Sequence, residues 1–274
     1  MSDLQGKTAL ITGSTSGIGK AVAEALAQQG VNIILNGRRP AAEVEAQRVE
    51  LETTYGIKAV YYPADMAKPG DIAKMFKAAA KTVGKPDILV NNAGAQYVSP
   101  IDQFPPEEWK RIIDVHLVAS FLSMREAIPH MKEQGWGRII NVASAHAVTA
   151  SPFKSAYVAA KHGLLGLTKS AALEVAEQGV TCNAICPGYV WTPLVEGQIA
   201  KQAETREIKP EQVINEVFMR VHPTRKFTTV EQIGETAVFL CSSAAQNITG
   251  QNINMDGGWT AGQVPLKQAG PAPK

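Results

Sequence analysis

The sequence is poor in cysteine, with three residues at positions 182, 186 and 241 among 274. Small secreted domains held by disulfides use more cysteines and an even number of them, so a disulfide framework is excluded and we expect reduced thiols in a cytoplasmic protein. Cys182 and Cys186 lie four residues apart with no paired Cys or His at ligand spacing. We therefore expect small core residues at these positions and no metal site.

The sequence also lacks an excess of one charge and a long apolar run. Its 27 basic and 25 acidic residues leave a net charge of +2, whereas a nucleic-acid-binding protein usually carries a clustered basic face. No apolar run is long enough to span a bilayer, and the first seven residues lack the apolar stretch of a signal peptide. Because 45% of the residues are hydrophobic, we expect a folded protein. The balanced charge and the short apolar runs predict that it binds neither nucleic acid nor membrane.

Short apolar runs alternate with helical patterns along most of the chain. The predicted strands are 8–12, 31–36, 58–63, 88–91, 138–144, 180–187 and 252–255. The predicted helices are 17–29, 40–55, 69–84, 105–132, 152–178 and 230–241. Runs without polar alternation are typical of parallel strands covered on both faces, so the order predicts a doubly wound (Rossmann-type) α/β sheet of about seven strands in a single domain.

Two segments fall outside this alternation. Residues 192–226 follow the sixth predicted strand, and we interpret them as an irregular insertion. Residues 261–274 are rich in Gly, Pro and Ala, which predicts a loosely held C-terminal tail beyond a domain at 1–260.

The first predicted strand runs into a glycine-rich turn, Thr12-Gly13-Ser14-Thr15-Ser16-Gly17-Ile18-Gly19. Glycines let the backbone approach a ligand closely, and the helix that begins here directs free N–H groups and its positive dipole end at the turn. The position between the first strand and the first helix favours a site for the pyrophosphate of a dinucleotide. The alternative is a tight strand–helix turn without a ligand.

The end of the second predicted strand reads Asn36-Gly37-Arg38-Arg39, without the Asp or Glu that often binds the adenine ribose of NAD. Arg38 is a candidate partner for the 2′-phosphate of NADP. Alternatively, Arg38 stacks on adenine or lies in solvent. After the third strand, Asp65 is a candidate acceptor for the adenine amino group, with Met66 beside it.

Tyr157 and Lys161 are four residues apart in a helical pattern, which places both side chains on one helix face. A free tyrosine has a pKa of about 10, and we expect the nearby ammonium to lower it. Ser144 lies at the end of the fifth predicted strand. In an open α/β sheet the ligand binds at the carboxyl ends of the strands. The Ser144 hydroxyl can hold a substrate oxygen while Tyr157 moves the proton. The alternative for Tyr157 and Lys161 is a surface pair.

Together these motifs resemble the short-chain dehydrogenase/reductase family. The matching stretches are Thr12–Gly19, Asn91–Gly94, Ser144, Tyr157–Lys161 and Pro187-Gly188. The resemblance implies hydride transfer with a bound nicotinamide coenzyme, tyrosine as acid/base, lysine on the nicotinamide ribose and serine orienting the substrate. It also implies that further coenzyme-site residues are Asn92, Ala93, Gly94, Pro187, Gly188, Val190 and Thr192.

One position departs from the family pattern. The family usually has Asn in the helix after the fourth strand, where it holds a water in a proton relay behind the lysine, and here His116 stands at that position. Imidazole can also accept and donate a hydrogen bond, so we expect His116 to be a fourth catalytic residue. The alternative is a structural histidine whose nitrogens are satisfied.

The residues around the site resemble a subfamily, the bacterial D-3-hydroxybutyrate dehydrogenases. That resemblance implies that the substrate carboxylate is bound by Gln96, His146, Lys154 and Gln198. Trp259 is a candidate wall for the methyl end. Tyr189 stands where Trp is expected, so we expect a pocket of slightly different shape. Each of these residues also has a structural alternative, as a loop amide, a solvated charge or a packed aromatic.

The resemblance implies reversible oxidation of D-3-hydroxybutyrate to acetoacetate by a cytoplasmic homotetramer, with the insertion at 192–226 closing over the substrate. We expect NAD as coenzyme, and Arg38 leaves NADP open. Another hydroxy acid, a polyol or a 3-oxoacyl thioester remains an alternative substrate. A nicotinamide-binding sensor without catalysis is the alternative from another functional class.

Overall fold

A seven-stranded parallel sheet forms the centre of the computed structural model, which describes residues 3–262. The strands are β1 (Thr8–Ile11), β2 (Asn32–Gly37), β3 (Ala59–Pro63), β4 (Ile88–Asn91), β5 (Gly137–Val142), β6 (Val180–Pro187) and β7 (Asn252–Met255). Their spatial order is β3-β2-β1-β4-β5-β6-β7. The predicted doubly wound sheet is confirmed, and its order reverses between β1 and β4, where such sheets bind ligands.

Helices follow the strands along the chain. They are α1 (Gly17–Ala27), α2 (Ala41–Tyr55), α3 (Pro69–Thr82), α4 (Pro106–Ile113), α5 (Ala119–Gln134), α6 (Ser155–Val175), α7 (Pro193–Arg206), α8 (Pro210–Val213) and α9 (Val230–Cys241). A π-helical turn, Asp114–Val118, joins α4 to α5. The fifth strand ends at Val142 rather than Ser144, because Ser144 caps a short 3₁₀ turn with its side-chain oxygen.

The interpretation of 192–226 as irregular is wrong, because α7, α8 and a second π-helical turn occupy much of it. The Thr192 hydroxyl caps α7 by accepting the Val195 N–H, and Pro193 occupies the first turn, where its missing N–H is tolerated. Val195, Ile199 and Ala203 then form one apolar face, which packs in a small separate core with the residues of α8 and the following turn.

Both faces of the sheet are covered by apolar side chains, which explains the unbroken apolar strands. In β1, Ala9 and Ile11 pack in the core beneath α1, α2 and α9, whereas Leu10 packs on the opposite face with α3, α5 and α6. Adjacent residues of a strand point to opposite faces, so each face needs its own apolar set. The cysteines at 182, 186 and 241 are buried and free, as expected of small core residues.

The described residues set two limits on the remaining predictions. None of the helices within 3–262 combines the length and the apolar character needed to cross a membrane. The predicted tail at 261–274 lies outside the described residues from position 263 onward.

A buried polar network connects the sheet to α6, the helix of the predicted catalytic pair. The Asn91 amide donates to Asn141 Oδ1 at 2.9 Å, and the Asn141 amide donates to Thr168 Oγ1 at 2.8 Å. Buried polar groups require partners, because an unmade hydrogen bond inside the protein is unfavourable. The network therefore fixes α6 relative to the ends of β4 and β5.

We expect the substitution Thr168→Val to lower the free energy of unfolding by about 1–3 kcal/mol, because it leaves the Asn141 amide with only a weak acceptor, Cys182 Sγ at 3.8 Å. Urea denaturation measures the change. Thr53→Val is the matched control, since the hydroxyls of both threonines donate to the carbonyl four residues earlier in their own helix, and Thr53 lies at an exposed position of α2. Equal losses in the two variants would contradict the role of the network.

Candidate active site

The glycine-rich turn leaves no room for side chains at two of its positions. Gly13 has a φ of +64°, and a Cβ there would lie 2.9 Å from Ala93 Cα. A Cβ on Gly19 would lie 2.4 Å from the Gly13 carbonyl oxygen. The Asn92 amide donates to the carbonyls of Thr12 and Gly13 at 3.0 and 3.1 Å, which holds the turn against the end of β4. This bare turn at the start of α1 fits a pyrophosphate.

A cavity of about 250 Å³ lies beside the turn, between the ends of β2 and β3. The predicted residues that line it are Gly13, Thr15, Ser16, Arg38, Asp65, Met66, Asn92, Ala93 and Gly94. Gly37 has no space for a carboxylate side chain, because its Cβ would lie 2.8 Å from Thr15 Cγ2. Arg38 is exposed at this cavity, so the adenosine side of the site carries a cation at the strand end.

A larger cavity of about 550 Å³ continues from the first, and Asn92, Gly94 and Ala95 line both. The other predicted residues that line it are Ile18, Gln96, His116, Ser144, His146, Lys154, Tyr157, Lys161, Pro187, Gly188, Val190, Thr192, Gln198 and Trp259. Gly17 and Gly19 line neither cavity and belong to the turn itself. The structure therefore brings the predicted catalytic and substrate residues into one cavity.

Tyr157 and Lys161 project from the first turns of α6, as the four-residue spacing predicts. The Lys161 ammonium is buried, donates to the Val142 carbonyl at 2.6 Å and lies 5.6 Å from the centroid of the Tyr157 ring. Ser144 follows β5, and its hydroxyl lies close enough to Tyr157 to act on the pKa of the phenol. A hydroxyl, a phenol and an amine thus meet beside the end of β5.

Burial determines the proton affinities of this group. It raises the pKa of Tyr157, and the hydrogen bond from Ser144 opposes the shift only in part. It lowers the pKa of Lys161 to about 7, because an ammonium is poorly solvated there. The expectation of a lowered pKa for Tyr157 is wrong for these residues alone, since burial raises this pKa and the opposing influence comes from Ser144.

His116 occupies the π-helical turn, and its ring packs against Gly94, where a Cβ would lie 2.7 Å from His116 Cε1. Its Nε2 lies 2.7 Å from the Ala95 carbonyl oxygen, which can only accept, and 3.1 Å from the Ala95 backbone nitrogen, which can only donate, so the two contacts call for opposite tautomers. Nδ1 is buried and has no hydrogen-bond partner among the described residues. Burial and the nearby Lys161 lower the pKa of His116 to about 3, which keeps the ring neutral.

The residues predicted to bind a carboxylate line the same cavity. Burial lowers the pKa of Lys154, and burial followed by the Lys154 charge lowers the pKa of His146 to about 4. A neutral His146 carries one N–H and one bare nitrogen. Gln198 on α7 and Gln96 after β4 add two amides to the same lining. None of the described lining residues is acidic, so the cavity favours an anion.

Sequence reasoning missed several lining residues. Tyr97, Val98 and Val195 line the larger cavity, and Arg111 lines the smaller one. Val195 carried a readable signal, because it lies three residues after Thr192 and three before Gln198 on one helix face. Arg111 carried none, because only the packing of α4 brings it to the adenosine side.

Known proteins resemble this chain in both sequence and fold. The profile of the family described as enoyl-(acyl carrier protein) reductase matches residues 13–260. The chain is 58% identical to D-beta-hydroxybutyrate dehydrogenase of Rhizobium meliloti, over 93% of this chain and 99% of that protein. It is 51% identical to the protein of the same name from Cupriavidus necator, over 94% of this chain and 99% of that protein.

A solved structure shows the same architecture. L-sorbose reductase from Gluconobacter frateurii, complexed with NADPH and L-sorbose, superposes with a TM-score of 0.90 at 29% identity, over 95% of this chain and 98% of that chain. The family profile, the two relatives and the parallel sheet agree with the glycine-rich turn and the Ser–Tyr–Lys group. The chain belongs to the short-chain dehydrogenase/reductase family.

Proposed function

We propose that the protein is a dehydrogenase that reversibly oxidises D-3-hydroxybutyrate to acetoacetate with a nicotinamide coenzyme. The observation that carries the proposal is the larger cavity, where Ser144, Tyr157 and Lys161 share a lining with a second lysine and no carboxylate. Relatives at 58% and 51% identity named D-beta-hydroxybutyrate dehydrogenase support this choice of substrate.

The coenzyme fits along the two connected cavities. The bare turn at Gly13 and Gly19 would hold the pyrophosphate, with the adenosine beside Asp65 and Met66. The nicotinamide end would lie between Ile18, Pro187 and Gly188 in the larger cavity, with Val190 and Thr192 beside it. When bound, the coenzyme accepts a hydride from C3 of the substrate.

Tyr157, ionised to the phenolate, takes the proton of the substrate hydroxyl as the C–H bond breaks, so alcohol becomes ketone. The positive charge of Lys161 and of the oxidised nicotinamide would offset the burial that raises the pKa of Tyr157. Ser144 donates to the same substrate oxygen, and its contact with Tyr157 keeps the two groups together. Lys161 holds the coenzyme ribose and supplies positive charge beside the phenol. The unpartnered Nδ1 of His116, near Lys161, would give the proton an onward path.

The substrate carboxylate binds to Lys154 and to the N–H of neutral His146, with Gln96 and Gln198 completing the set. A small hydroxy acid has little apolar surface, so charge-assisted hydrogen bonds must orient it. Trp259 packs edge-on with His146 at 5.0 Å and would form the wall for the methyl end. Gln198 lies on α7, so closure of the insertion would complete the site.

The alternatives lack this support from the cavity. A polyol would leave the Lys154 charge without an anionic partner, although the sorbose reductase shares the fold. A 3-oxoacyl thioester also offers no carboxylate at this position. A sensor without catalysis would have no need of a serine, tyrosine and lysine converging on one cavity.

We also propose a homotetramer in a reducing cytoplasm. The exposed faces of α5, α6 and α9 carry large apolar side chains, namely Phe121, Leu173 and Phe239. Burial of these exposed side chains between subunits would remove their apolar surface from water. The three buried free cysteines are compatible with a reducing compartment.

The carboxylate site is tested by replacing its cation. We expect the purified protein to oxidise D-3-hydroxybutyrate but not the L-enantiomer, and we expect Lys154→Met to raise KM at least about tenfold, because a charge-assisted hydrogen bond is lost. Coenzyme reduction, followed by absorbance, measures both. Lys77→Met, at an exposed position of α3, should leave KM unchanged. An unchanged KM for Lys154→Met would refute the site.

The coenzyme preference is tested at the adenosine end. We propose NAD, and Arg38 is the observation that favours NADP. We expect kcat/KM to be higher with NAD, and Arg38→Leu to weaken the reaction with NADP alone, because it removes a cation that a 2′-phosphate would use. Lys74→Leu, at an exposed position of α3, is the control. A higher kcat/KM with NADP would overturn the choice of NAD.

A further inference from the structure

His222 lies near the end of the insertion and is fully buried, yet it lines neither cavity. The proposed chemistry gives it no task. Both of its ring nitrogens make backbone hydrogen bonds, and these join the two ends of the insertion. Nε2 accepts the Tyr189 N–H at 3.0 Å, and Nδ1 lies 3.0 Å from the Lys226 carbonyl oxygen.

These two bonds fix the protonation of the ring. A backbone N–H can only donate, so Nε2 is bare, and a carbonyl can only accept, so Nδ1 carries the proton. The ring is therefore neutral, with its proton on Nδ1. The opposite tautomer would set two N–H groups against each other at Tyr189 and leave the Lys226 carbonyl facing a lone pair.

Two glycines leave space for the His222 ring. A Cβ on Gly188 would lie 2.5 Å from Nε2, and one on Gly257 would lie 3.2 Å from Nδ1. The two ends of the insertion also pair directly, since the Thr228 N–H donates to the Tyr189 carbonyl and the Trp191 N–H donates to the Thr228 carbonyl. The imidazole extends this short ladder by bridging Tyr189 and Lys226.

A column of aromatic rings leads from His222 to the substrate cavity. Tyr189 stacks on His222 with centroids 5.7 Å apart, and Trp259 stacks on Tyr189 at 5.4 Å. Trp259 in turn contacts the edge of His146. Tyr189, Trp259 and His146 all line the larger cavity, so the placement of His222 bears on the wall that faces the substrate.

We propose that His222 is a positioning residue that closes the base of the insertion and thereby sets the aromatic wall of the substrate cavity. It acts through the Tyr189 backbone and ring and touches neither substrate nor coenzyme. The inference rests on the proposed function for its kinetic readout, because it concerns how well the hydroxy acid is held.

Two variants separate the hydrogen bonds from the packing of the ring. His222→Gln keeps one donor and one acceptor, spaced much as in imidazole, whereas His222→Phe keeps a flat ring for Tyr189 but has no polar atom. We expect His222→Phe to raise KM for D-3-hydroxybutyrate about tenfold, because two buried backbone groups lose their partners. We expect kcat to fall less than KM rises, an unchanged Kd for NADH, and a KM near that of the unaltered protein in His222→Gln.

A KM for His222→Phe equal to that of the unaltered protein would overturn the proposal, and so would equal losses in the Phe and Gln variants. Nitrogen-15 NMR of the histidine-labelled, unaltered protein gives a test that depends on neither variant folding. His222 should show a neutral ring protonated at Nδ1, and a charged ring or the opposite tautomer would overturn the proposal. Absence of turnover in the unaltered protein would refute the proposed function and leave the NMR result to decide on His222.

Discussion

The buried lysine at the start of α6 is the constraint on which the site depends. Lys161 is held by one strong contact, the hydrogen bond from its ammonium to the Val142 carbonyl at the end of β5. Burial lowers its pKa to about 7, so the fold keeps an amine near its titration point where an exposed lysine would stay charged. The same burial raises the pKa of Tyr157. Charge brought in by ligands can therefore change the balance between phenol and phenolate.

The surrounding structure keeps this pair in place. The network from Asn91 through Asn141 to Thr168 fixes α6 against the sheet, and the bare glycine turn brings α1 to the same crevice. His116 and Gly94 fit each other, since any side chain at position 94 would collide with the imidazole. The packing around His116 and Gly94 and the hydrogen bonds of α6 hold the side chains of the larger cavity in place. Cationic and neutral donors line this cavity, and none of its described lining residues is a carboxylate.

Much of the fold and site follows from local sequence signals. Every predicted strand is found, because strands covered on both faces leave unbroken apolar runs, and the Tyr157–Lys161 spacing holds because a helix repeats every 3.6 residues. The helices at 192–226 were missed although Thr192 and Pro193 form a readable helix start. The pKa of Tyr157 was misjudged because desolvation depends on packing from distant segments. The positions of Arg111 and His222 could not be predicted either, because tertiary structure alone brings their neighbours to them.

The central claim is that Tyr157 moves the proton while the fold separately holds the coenzyme. Rapid mixing of the Tyr157→Phe variant with NAD and D-3-hydroxybutyrate, together with a separate measurement of NADH binding, tests it most directly. Loss of turnover by a factor of about 10²–10⁴ or more, with the Kd for NADH unchanged, is the predicted result. Turnover close to that of the unaltered protein would contradict the account.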